Sequence, residues 1–87
     1  MEVSCQFAVY PLGIARLSPG IEAALEAIRA RGLCPEPGPM STQVVGSVDA
    51  VFEALRDAFV AAAGGACVMT ATVSNACPVE AGEAEVR

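Results

Sequence analysis

The chain has 87 residues, which is the size of one domain. Five arginines against ten acidic residues give a net charge of −5, which argues against nucleic acid and anionic membranes, since both select clustered basic charge. There is no His and no Lys, so histidine general bases, His-ligated zinc, Schiff-base lysines and the P-loop lysine are all excluded.

In chain order, Val3–Tyr10 alternates, with Val3, Cys5, Phe7 and Val9 on one face and Ser4, Gln6, Ala8 and Tyr10 on the other, as in a half-buried strand ended by Pro11 and Gly13. Ser18-Pro19 is a helix start, with Ser18 as N-cap. Ile21, Ala24, Leu25 and Ile28 then recur at helical spacing, and Gly32 is placed to close the helix in the left-handed conformation. Pro35, Pro37 and Pro39 would remove donors from one side of a strand, which is tolerated only at a sheet edge. Thr42–Gly46 is a short β-branched strand after a turn at Gly38-Pro39. Ser47 caps a second helix, with Val48, Val51, Phe52, Leu55, Phe59 and Ala62 at helical spacing and Asp49 favourable in its first turn. Gly64-Gly65 ends it. Cys67–Asn75 is the last strand, with Val68, Thr70, Thr72 and Ser74 on one face and Cys67, Met69, Ala71 and Val73 on the other. Residues 79–87 read as a mobile acidic tail, leaving residues 1–78 as the folded domain.

The order is β-α-β-β-α-β, and the segment Glu22–Arg29 echoes Asp49–Arg56. Two similar β-α-β halves interlock in the ferredoxin-like split fold, an α+β architecture with an antiparallel four-stranded sheet and two helices on one face. In its usual strand order 4-1-3-2 the second strand lies at an edge, where the prolines need it.

Cys5, Cys34, Cys67 and Cys77 contain no Cys-x-x-Cys pair, so no metal site is expected. The N-terminus lacks a basic region followed by a long apolar run, so no signal peptide is expected, nor is any membrane span. This predicts a cytoplasmic chain with reduced thiols. Glu22, Glu26, Glu53 and Asp57 fall on outer helix faces, no nucleophile–base or acid–base pair is evident, and the expectation is a protein that is not an enzyme and carries no cofactor.

With the more apolar rows taken as core, Ser4, Gln6, Ala8 and Tyr10 join Val68, Thr70, Thr72 and Ser74 on an open face with no charge except Glu2 at its end. A solvated sheet surface ordinarily carries Lys, Arg or Glu, so this face predicts cover. One reading is a homo-oligomer interface alone, acting as a structural or regulatory interaction domain. The other is an interface that also holds a small polar molecule.

Three segments, Cys5–Leu12, Ser41–Phe52 and Thr72–Pro78, resemble the YkoF-like thiamine/hydroxymethylpyrimidine-binding family and its single-domain thiamine-binding members. The resemblance covers residues 3–78. It implies a ferredoxin-like domain that oligomerises through its sheets, as a dimer or tetramer. It also implies binding of thiamine or its hydroxymethylpyrimidine moiety, beside a thiamine-type transporter or in salvage. Chemistry then selects Gln6, Ser41, Thr42, Thr72, Ser74 and Asn75 for the aminopyrimidine edge and Tyr10 for stacking, while the net charge favours a cationic thiazolium. Thr42 and Gln6 are expected to meet one ring edge near the end of the first strand. The alternatives stay open: Thr72 and Ser74 also suit a sheet interface, Ser41 and Thr42 a turn, Asn75 a strand-end cap and Tyr10 simple packing.

Overall fold

The alternation in the first strand sets the architecture, because one of its faces must be covered. The computed structural model describes residues 1–13 and 18–76, with β1 (Glu2–Pro11), α1 (Ser18–Ala30), β2 (Glu36–Pro37), β3 (Thr42–Ser47), α2 (Val48–Ala62) and β4 (Cys67–Ser74). The strands form one antiparallel sheet in the order β2-β3-β1-β4. This is the expected ferredoxin-like α+β arrangement, with the proline-rich strand at an edge. The expected tail, Cys77 and any capping by the Ser18 side chain lie outside the described residues.

Val3, Cys5, Phe7 and Val9 of β1 are buried with Val44 of β3, Ala24 and Ile28 of α1, and Val51, Ala54, Leu55, Ala58 and Ala62 of α2. Ile28 is fully buried, and removing such a side chain from water stabilises the fold by about 1.5–3 kcal/mol. Both helices are closed by local chemistry. After α1, Gly32 adopts φ 81°. Its N–H donates to the Arg29 carbonyl at 2.9 Å and the Leu33 N–H to the Ile28 carbonyl at 3.4 Å, the paired closure that favours glycine. Ser47 caps α2, its hydroxyl accepting from the Ala50 N–H at 3.2 Å.

Two expectations about packing are corrected. Phe52 and Phe59 are 53% and 37% exposed. The covered stripe of α2 is centred on Val51, Ala54, Ala58 and Ala62, whose small side chains allow close approach, and one residue step of about 100° turns Phe52 away from it. Ala71, expected in the core row of β4, is exposed, and its neighbours Met69 and Val73 are only half-buried. β4 is an edge strand, so its helix-facing side is covered only in part.

On the helix side, Arg31 at the end of α1 donates to Asp57 (2.6 Å) and Glu53 (2.7 Å) of α2, and Arg56 donates to Asp57 at 3.1 Å. The Arg31 hydrogen bond holds the Asp57 carboxyl below its usual range, and Asp57 in turn holds the Arg31 guanidinium up. These ion pairs bridge the two helices at the surface and lie away from the open sheet face.

Candidate functional site

Register decides which side chains share the open face, because residues directly opposite one another in a sheet project to the same side. Glu36 pairs with Gln43, Gln43 with Gln6, and Gln6 with Thr72. One transverse row therefore crosses all four strands: a carboxylate, two amides and a hydroxyl. With strands about 4.8 Å apart, the row is about 14 Å long. The next row consists of Val45, Ser4 and Ser74.

These two rows and Cys34 line a concavity of about 510 Å³. Its floor is the sheet itself, which fixes the side chains on rigid backbone. Gln6 and Gln43 each offer a donor and an acceptor, Ser4, Thr72 and Ser74 offer hydroxyls, and Glu36 offers acceptors and negative charge. The Ser74 hydroxyl also accepts from the Ala76 N–H at 2.9 Å, closing the end of β4. Cys34 and Glu36 could each approach a metal ion, but among the described residues no group of three or more metal-ligating side chains comes together.

The residues expected to bind a ligand fall into three places. Gln6, Thr72 and Ser74 lie together in the large concavity. Tyr10, Ser41 and Thr42 line a smaller one of about 250 Å³ at the other end, between the end of β1, the start of α1 and the turn before β3, with Phe7, Ile21, Leu25 and Met40. Asn75 lies beyond β4, its amide donating weakly to the Met1 sulfur at 3.6 Å. The expected convergence of Thr42 with Gln6 is corrected. Thr42 is paired with Phe7, in the helix-facing row, so its side chain projects to the opposite side of the sheet from Gln6.

Ser4, Cys34, Glu36, Gln43 and Val45 were not among the expected site residues. Gln43 follows from register alone: if Gln6 is on the open face, its direct partner is too. Glu36 carried a local signal, since it sits between Pro35, which is buried, and Pro37, and must project opposite to both. Burial pushes the Cys5 thiol up from its ordinary range, whereas Cys34 is exposed at the concavity.

A family model describing the YKOF-related family matches residues 2–80, most of the chain. The chain belongs to the YKOF-related family. No curated protein matches this family member. Its structure is similar to that of a candidate thiamine biosynthesis/salvage protein from Thermotoga maritima, at 22% identity and TM-score 0.76, with 100% of each chain covered. A Streptococcus pneumoniae protein matches at 16% identity and TM-score 0.79, again over 100% of each chain. A hypothetical protein from Methanocaldococcus jannascii matches at 22% identity and TM-score 0.77, covering 85% of this chain and 79% of that one. At these identities the likenesses establish the shared fold.

Proposed function

We propose that this YKOF-related protein binds thiamine or its hydroxymethylpyrimidine moiety without converting it, in thiamine salvage or transport. The observation that carries the reading is the row Glu36–Gln43–Gln6–Thr72. An aminopyrimidine presents donors and acceptors in one plane, and two facing glutamine amides can complement such an edge. Thiamine joins that ring to a cationic thiazolium through a single methylene, so its two rings span about one strand spacing of ~4.8 Å. A pyrimidine over Gln43 and Gln6 brings the cation within reach of Glu36. Membership of the family and the thiamine-related name of the Thermotoga maritima neighbour support the same ligand class.

A second copy of the chain is the proposed cover for the open face, in a dimer or tetramer. Tyr10, Val45 and Val68 are each more than two-fifths exposed, and all three belong to open-face rows. That same observation favours the alternative of a structural or regulatory homo-oligomeric domain without a ligand. Among the described residues no helix is long and apolar enough to cross a membrane. Delivery to or from a thiamine-type transporter, from the cytoplasmic side, is the proposed context.

Calorimetric titration with thiamine and with hydroxymethylpyrimidine separates the two readings. Saturable heat that Gln6→Leu weakens is the expected result. Absence of binding by both compounds, with the oligomer intact, would leave the interaction domain as the function.

A further inference from the structure

Among the described residues lining the large concavity, Glu36 is the one charged side chain and none is an arginine. Its position at the end of the transverse row is fixed by pairing with Gln43. We propose that Glu36 makes the site a charge filter, admitting a cationic or neutral heterocycle and rejecting its phosphorylated esters. The inference rests on the proposed ligand class and adds its phosphorylation state.

The physical argument has two parts. A carboxylate about one strand spacing from a bound thiazolium attracts it, and a ring that displaces water from the space between them strengthens that attraction over its value in water. A phosphate or diphosphate tail brings negative charge into the same space and loses hydration, with no guanidinium among the described lining side chains to replace the water. The amino end of α2, which directly follows β3, is not free to serve as an anion site. The Val48 N–H donates to the Met1 carbonyl at 2.9 Å, the Ala50 N–H donates to Ser47, and Asp49 adds negative charge.

The test is calorimetry with four compounds (thiamine, thiamine monophosphate, thiamine diphosphate and hydroxymethylpyrimidine) on the native protein and on Glu36→Gln. Native protein should prefer thiamine to the diphosphate by at least about tenfold, a preference of roughly 1.4 kcal/mol. In Glu36→Gln that ratio should shrink by about fivefold or more, through weaker thiamine and stronger diphosphate binding, which is the size expected for one nearby charge. Hydroxymethylpyrimidine, being neutral, should bind both proteins within about twofold, showing that the site itself survives. Equal affinity of the native protein for thiamine and its diphosphate would overturn the filter while leaving thiamine binding intact. Discrimination that persists unchanged in Glu36→Gln would overturn the role of Glu36. Failure of all four compounds to bind would overturn the ligand assignment and the filter together.

Discussion

Gln6 and Gln43 stand directly opposite each other across β1 and β3, on the face that the helices leave uncovered. Their amides form the centre of a row that begins at Glu36 on one edge and ends at Thr72 on the other. The pairing sets two glutamines, 37 positions apart in the chain, side by side on one face of the sheet, and it supplies the first prediction.

Gln6→Leu keeps much of the side-chain volume and removes the amide, so thiamine affinity should fall by about fivefold or more, the loss expected for one unmade hydrogen bond in a complex. Thr42→Val, on the opposite side of the sheet, should leave affinity within about twofold of native. Calorimetry on both variants checks this. The reverse pattern would move the ligand to the smaller concavity with Tyr10 and Ser41.

The cysteines give a chemical footprint. Among Cys5, Cys34 and Cys67, Cys34 should react first with a maleimide, because it is exposed, while Cys5 is buried with its thiol pushed up and its thiolate scarce. Since Cys34 lines the large concavity, saturating thiamine should slow its labelling. Peptide mapping by mass spectrometry reads both effects, and labelling unaffected by bound thiamine would place the ligand elsewhere.

Charge on the open face tests the proposed assembly. Thr72→Lys puts an ammonium into the row that a second copy would cover, and burying it unpaired costs several kcal/mol. Sedimentation should show smaller species than the native protein at the same concentration. If the variant assembles as the native chain does, association uses another surface, with the exposed Phe52 and Phe59 flank of α2 as the next place to mutate.

The helix-side ion pairs predict an acid limb in stability. The Asp57 carboxyl titrates lower in the folded chain than in the unfolded one, chiefly because of the Arg31 hydrogen bond. Its contribution is therefore complete above the unfolded carboxylate's pKa and is lost as pH falls through the depressed folded value. Arg31 is held up by the same contact, so on the alkaline side the pair persists up to the ordinary arginine range and is lost only above it. Arg31→Gln should lower the melting temperature slightly at neutral pH and flatten its decline under acid. The effect should shrink in high salt, because these groups face solvent. An unchanged acid limb in Arg31→Gln would assign that limb to other carboxylates.

What the sequence by itself determined is local. Alternation in Val3–Tyr10 named the buried and open faces of β1, Ser47 and Gly32 marked helix ends, and the three prolines sent β2 to the edge. Each of these signals lies within a few residues of the structure it specifies, where dihedral preference and periodicity act. Tertiary structure decided what depends on partners. Nothing local distinguishes Thr42 from Gln43 as the residue facing Gln6. A one-residue change of register exchanges them between faces, and only the pairing of β3 with β1 selects Gln43. Likewise, helical spacing alone suits Phe52 to the core as well as Ala54. The close approach that the alanines of α2 permit is what buries Ala54 and leaves the ring in solvent.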